Sequence, residues 1–231
     1  YDAAHKIVLL SMLAYNVGVS MKSVYVEGIT NITALDITYA HEMGYTIKLL
    51  GVSRMLDCKL DIRLQPVMIP LTNPLASVRN EFNAIMYHGD MTGPVTLYGK
   101  GAGSFPTASA VVSDIVSIAQ KQNGGKDCIF IEKDAEYISP EYRMLRYYIR
   151  LYSEDRAGIL SKIAGVLGGY NISIASVIQK EAMTEYVPIV ITTHRANEAG
   201  MRKAKNEIER FNFVNGHVMI IPIEDFDNTG E

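Results

Sequence analysis

Apolar residues fall in short runs whose spacing changes along the chain, and each change marks an element. Asp2 and Lys6 precede a nearly unbroken apolar run, residues 7–13, interrupted only by Ser11. That pattern predicts a helix buried in a core. A short β-rich run follows at 23–29. Residues 33–43 predict a helix, with Thr33 or Asn31 as N-cap and Gly44 as its stop. Strands are predicted at 46–52 and 60–67, the second alternating Leu60, Ile62 and Leu64 against Asp61, Arg63 and Gln65. After a proline-punctuated turn region, two more strands are expected at 84–87 and 94–98, joined by a Gly-Asp-Met-Thr-Gly turn. A Gly-rich loop, Gly99-Lys100-Gly101-Ala102-Gly103, then leads into a helix expected at 107–120 with Thr107 as its cap. This half reads as an α+β domain, a mostly antiparallel sheet with helices packed on it.

Residues 120–127 are polar and aperiodic, and the pattern then resets. A strand is expected at 147–152 and a helix at 154–168 with Ala157, Leu160, Ile163 and Leu167 facing inward. Strands at 172–179 and 186–193, a charged amphipathic helix at 198–211 and a closing strand at 214–223 complete the order βαββαβ. That is the ferredoxin-like plan. The expected division is 1–121 for the first domain, 122–145 for a connection and 146–225 for the second domain.

The 231 residues are 48% hydrophobic and 20% charged, with a net charge of −3. There is core material for two ordinary domains, and no basic excess that would make nucleic acid a default partner. No apolar run reaches the roughly 18 residues of a membrane helix, so no membrane is expected. Cys58 and Cys128 stand far apart without metal-ligand spacing, which argues for a reducing compartment, and the cytoplasm is the expected location. His5, His41, His88, His194 and His217 are scattered, and no metal site is expected. The chain opens at Tyr1 inside a helix-like pattern, and is read as a fragment whose N-terminal part was removed.

Asp2 and Lys6, spaced i and i+4, share one helix face and can reach each other or one small ligand. Taken alone, the pair is either a solvated helix-start ion pair or a piece of an active site. The Gly-rich loop lacks the G-x-G-x-x-G spacing of a dinucleotide fingerprint, and no βαβ unit surrounds it.

The run Arg150-Leu151-Tyr152-Ser153-Glu154-Asp155-Arg156-Ala157-Gly158-Ile159-Leu160, followed by Tyr170-Asn171-Ile172, resembles an ACT domain, the small-molecule sensing module of amino-acid metabolism. Gly158 lets the backbone approach a ligand at a helix start, whose N–H groups favour a carboxylate. The carboxylate of Asp155 suits an ammonium group. The resemblance implies effector contacts at Asp155, Gly158, Ile159 and Asn171.

A second, longer series covers the rest of the chain. It runs through Asp2-Ala3-Ala4-His5-Lys6, Val26-Glu27-Gly28-Ile29, Lys48-Leu49-Leu50-Gly51, and Tyr98-Gly99-Lys100-Gly101-Ala102-Gly103 with Pro106-Thr107. In that order it resembles the substrate domain of homoserine dehydrogenases, in the bacterial form that ends in an ACT domain. The resemblance implies NAD(P)-dependent interconversion of L-homoserine and L-aspartate 4-semialdehyde. Lys6 falls on the catalytic lysine and Asp2 on an acid that helps hold substrate. Gly103 and Gly101 fall where the chain touches the cofactor, NADP or NAD, which a missing N-terminal domain would mainly bind; the chain by itself is expected to be inactive. Ser104-Phe105 departs from the Gly-Asp pair more usual before Pro106. Threonine is the implied effector, and a homodimer or homotetramer the implied assembly. The alternative is a non-catalytic module for amino-acid binding and oligomerisation.

Overall fold

The computed structural model describes residues 1–120, 131, 133–180 and 184–226; Cys128 lies outside them. Helix α1 (Asp2–Tyr15) leads through β1 (Val17–Gly18) and β2 (Tyr25–Val26) to α2 (Ala34–Glu42), β3 (Tyr45–Leu56) and β4 (Lys59–Pro70). The hairpin β5 (Phe82–Gly89) and β6 (Gly93–Lys100) and the helix α3 (Ser104–Gln120) follow. The remainder is β7 (Lys133–Asp134), β8 (Met144–Glu154), α4 (Ile159–Gly169), β9 (Ile174–Gln179), β10 (Tyr186–Thr193), β11 (Ala196–Asn197), α5 (Glu198–Ile208) and β12 (Val214–Ile223).

From β8 onward the chain forms the βαββαβ plan, with strands in the order β12-β8-β10-β9 and antiparallel neighbours throughout. Alternation along β8 splits its side chains between two faces. Leu145, Tyr147, Ile149 and Leu151 point into a core with Ile163 and Leu167 of α4 and Met201, Ala204 and Ile208 of α5. Each of the larger aliphatic side chains buried there contributes roughly 1.5–3 kcal/mol. Tyr148 and Arg150 point the other way, and that face is not open. Tyr39 and Ala40 of α2 and Met68 of β4 cover it, packing with Tyr148, Val190, Met219 and Ile221. The sheet continues past β12 through parallel pairing of Ile223 with Met68, then β4 with β2.

The compact units therefore cut across the division expected at 121 and 146. One unit is Tyr1–Ile69 with Ile131–Glu231; the other is Pro70–Phe130. The physical reason is the double seal, α2 on the sheet face and β4 on the sheet edge. In the second unit β5 and β6 form an antiparallel hairpin, with Phe82 stacked on Tyr98 at 4.8 Å between ring centroids. Its helix α3 begins at Ser104, one turn's length before the expected start, so Thr107 lies inside the first turn. The Thr107 hydroxyl donates back to the Gly103 carbonyl at 2.8 Å rather than capping the helix. Among the described residues no helix is long and apolar enough to cross a membrane.

Thr33 is the N-cap of α2 and closes a capping box with Asp36, as the Thr-x-x-Asp spacing allows. The expectation for α1 needs correction: only one face is buried. Ala4, Val8 and Ser11 face the core, whereas Leu9 and Leu13 are exposed on the same side as Asp2 and Lys6. Val8 packs with Val24 and with Leu60 and Ile62 from one face of β4. The polar face of β4 is buried as well, since Asp61, Arg63 and Gln65 are all enclosed.

Candidate functional site

Lys6 Nζ lies 2.8 Å from Asp2 Oδ2, with the two side chains 57% and 84% exposed. The hydrogen bond and charge of Lys6 hold the Asp2 carboxyl below its ordinary value. Helical spacing sets this pair on the face opposite Ala4 and Val8, so anchoring on one side leaves an acid and an ammonium presented on the other. Such a pair can hold a polar group of a small substrate and exchange a proton with it. His5 is exposed and makes no part of the pair.

The Gly-rich loop belongs to the second unit. Gly101 donates its N–H to the Glu81 carbonyl at 2.9 Å. A Cβ on Gly101 would sit 1.8 Å from Asn83 Nδ2, so no other residue fits without moving Asn83. Gly103 has φ +125°, a backbone that side chains rarely adopt. Both glycines are exposed and lie just ahead of the N-terminus of α3, a backbone donor set suited to an anionic or carboxamide group.

A cavity opens at the loop between β8 and α4. Residues 154–160, with Gln179 and Ile189, line a cavity of about 230 Å³ at the start of α4. This lies below the roughly 300–1,000 Å³ of drug-sized pockets and suits an amino acid. Gly158 is the N-cap of α4, with φ +88° and no side-chain cap. Asp155 is exposed and accepts a hydrogen bond from Gln179 Nε2 at 3.1 Å; Glu154 pairs with Arg156. Ile159 forms part of the wall but turns its side chain into the core. Asn171 is not brought to this site. It follows the far end of α4, an 11-residue helix about 16 Å long, and takes the left-handed conformation there with φ +57°. Its N–H closes that helix end on the Gly168 carbonyl at 2.9 Å. A larger groove of about 550 Å³ runs along the outside of α4 and α5, past Lys162, Tyr170 and Glu207, and none of the expected effector residues lines it.

Two buried ionic clusters went unread in the sequence. Asp36 on α2, 0% exposed, accepts from Arg150 Nε at 2.6 Å, Arg150 Nη2 at 3.1 Å and the Tyr148 hydroxyl at 2.9 Å. Burial raises the Asp36 carboxyl, but the hydrogen bonds from Arg150 and Thr33 outweigh it and hold the group below its ordinary value. On the polar face of β4, Arg63 pairs with Asp61 and Glu224. Arg143 bridges Asp61 at 2.7 Å and Glu198 at 3.0 Å. The acid–base alternation of 61–65 was the one available signal. Among the described residues no group of three or more His, Cys, Asp or Glu could hold a metal ion.

A family model described as homoserine dehydrogenase matches residues 1–116, and one described as the ACT domain matches 147–212. A homoserine dehydrogenase of Pseudomonas aeruginosa is 34% identical over 233 residues, spanning 96% of this chain and 54% of its own length. One from Bacillus subtilis is 34% identical over 203 residues, with 86% and 47% covered. The chain thus spans about half the length of the curated relatives it matches. Among solved structures, a homoserine dehydrogenase from Thiobacillus denitrificans superimposes with a TM-score of 0.87 at 36% identity, covering 97% of this chain and 53% of that one. A Staphylococcus aureus homoserine dehydrogenase gives a TM-score of 0.67 at 25% identity, with 97% and 52% covered.

Proposed function

Because this chain belongs to the homoserine dehydrogenase family, we propose that it supplies the substrate side and the regulatory module of an enzyme interconverting L-homoserine and L-aspartate 4-semialdehyde. The reaction would serve threonine and methionine biosynthesis in the cytoplasm. The observation that carries the reading is the Lys6–Asp2 pair, presented on the free face of a helix anchored from behind. The nicotinamide cofactor, when bound, supplies hydride exchange with the carbon that bears the oxygen. Lys6 handles the proton: as an ammonium it donates to the aldehyde oxygen in reduction, and as an amine it takes the hydroxyl proton in oxidation. Asp2 orients the Lys6 side chain and holds the substrate beside it. Gly101 and Gly103 would touch the cofactor, most of which would be held outside these 231 residues; the chain alone is then inactive.

The cavity at the start of α4 would take an amino-acid effector, with threonine the best candidate. The first-turn N–H groups of α4 face its carboxylate and Asp155 its ammonium. Gln179, hydrogen-bonded to Asp155, adds a polar contact beside it. A homo-oligomer is favoured by the apolar surface of the second unit, where Leu97, Tyr98, Ile115 and Ile118 are exposed.

The test is direct. The full-length protein that carries this chain should oxidise L-homoserine with NAD⁺ or NADP⁺ and reduce the semialdehyde in reverse, and it should bind threonine in a calorimeter. Threonine binding with no turnover of either substrate would instead favour a non-catalytic sensing and oligomerisation module.

A further inference from the structure

Lys6 is only as well placed as the helix that carries it, and α1 is seated on β3 at three points. The first is Ile7, the residue next to Lys6, which lies against Gly51. A Cβ built on Gly51 would fall 3.0 Å from Ile7 Cβ, 3.2 Å from Cγ1 and 3.5 Å from Cδ1. The nearest of these is fixed to the helix backbone and cannot rotate away. Gly51 has no positive φ that would demand glycine, so close approach is what requires it. The second point is Ser11, 1% exposed, whose hydroxyl meets the Ser53 hydroxyl at 2.7 Å and donates to the Ile7 carbonyl at 2.6 Å. The third is the Tyr15 hydroxyl, which donates to the Ser53 carbonyl at 3.1 Å. The two serines lock the helix along its axis; the bare Gly51 backbone sets how closely its first turns approach the strand.

We propose that Gly51, backed by the Ser11–Ser53 hydroxyl pair, is a positioning residue for proton transfer, fixing the seat of α1 and so the place of Lys6 Nζ. This rests on Lys6 being the proton carrier. A methyl group at position 51 forces α1 outward by a few tenths of an ångström at the residue adjoining Lys6. Misplacement of a catalytic group by 1 Å costs about 100-fold, so a shift of a few tenths of an ångström in Gly51→Ala should lower kcat by roughly three- to sixfold. KM should rise by less than kcat falls, because Asp2 rides on the same helix but proton transfer depends more steeply on the place of Lys6 Nζ. Gly51→Val should lower kcat further. Ile7→Ala removes two of the three atoms that crowd the new methyl, and in the Gly51→Ala background it should restore part of the lost kcat.

The measurement is steady-state kinetics on the full-length protein for Gly51→Ala, Gly51→Val, Ile7→Ala and the Gly51→Ala/Ile7→Ala pair, each checked by thermal melting. Ser53→Ala is the second route, removing one hydroxyl of the pair without adding bulk; it should lower kcat by less and in the same direction. Support is a kcat loss that grows with side-chain size, outweighs any change in KM and recovers in part in the double variant, in proteins still folded at the assay temperature. Full activity of Gly51→Ala, or a loss confined to KM with kcat intact, overturns the positioning role. Lys6→Ala is run alongside to separate the two claims. If it is inactive while Gly51→Ala is normal, only the positioning role falls; if it is active, the proton-carrier reading falls and takes the positioning role with it.

Discussion

Replacing Asp36 with alanine should cost the fold about 3–5 kcal/mol, the range for removing one partner of a buried ion pair. Asp36 is fully buried, Arg150 is 5% exposed, and the pair is bidentate. Asp36 also receives the Thr33 N–H at 2.9 Å and the Thr33 hydroxyl at 2.7 Å, completing the cap of α2. Loss of such a cap alone is worth about 1 kcal/mol. The larger part of the cost comes from Arg150, left charged against a covered sheet face with no anion to meet it. Against a total stability of roughly 5–15 kcal/mol, the effect is large. The assay is urea unfolding followed by circular dichroism and by tyrosine fluorescence, for which the chain has 14 tyrosines and no tryptophan. Asp36→Ala, Arg150→Met and the double variant complete a cycle. The double variant should be less destabilised than the sum of the singles by about 2 kcal/mol or more, since it leaves no unpaired charge. A cost below about 1 kcal/mol for Asp36→Ala, or a double variant equal to the sum, would refute the claim that this pair fastens α2 to the sheet.

Because the folded Asp36 carboxyl is held below its ordinary value of about 3.9, the stability it contributes is present above that pH and is lost as pH falls through the folded value. Urea unfolding at stepped pH should show wild type losing more stability on acidification than Asp36→Asn; parallel curves would contradict it. Gly158→Val strains a backbone at φ +88° and narrows the cavity at the start of α4, so the heat of threonine binding should disappear in calorimetry. Undiminished threonine binding by Gly158→Val would place the effector elsewhere.

The βαββαβ half was legible because its physics is local. The apolar strand run 186–193 and the inward positions Ile163 and Leu167 need only the backbone geometry of strand and helix. Ala157 and Leu160, expected on the same inward stripe, are exposed, because β8 runs on to Glu154 and α4 starts only at Ile159. Thr33 was legible as a cap for the same reason. What could not be read depends on partners distant in sequence. Asp61 and Arg63 look like the wet face of a strand until Glu224, 161 residues beyond Arg63, arrives to neutralise them. Asp36 looks like half of a cap until Arg150 is brought beneath it. The opening helix erred the other way. Its leucines suggested burial all round, yet Leu9 and Leu13 share the exposed face with the Asp2–Lys6 pair. Asn171 lies in the same motif as Gly158, but α4 holds the two at opposite ends. Of the expected site residues, Asp2 with Lys6 and Asp155 with Gly158 and Ile159 are brought together; Gly101 and Gly103 share one loop in the other unit.

The most direct measurement is the turnover of Lys6→Ala in the full-length protein, with its fold checked by circular dichroism. Lys6 is more than half exposed, so truncating it removes a proton carrier without opening a core. The expected result is a kcat lowered by about two to four orders of magnitude, the usual scale for a positioned acid–base group, with the spectrum unchanged. Near-normal turnover would contradict the assignment of Lys6, and with it the claim that this helix face is the substrate side of the enzyme.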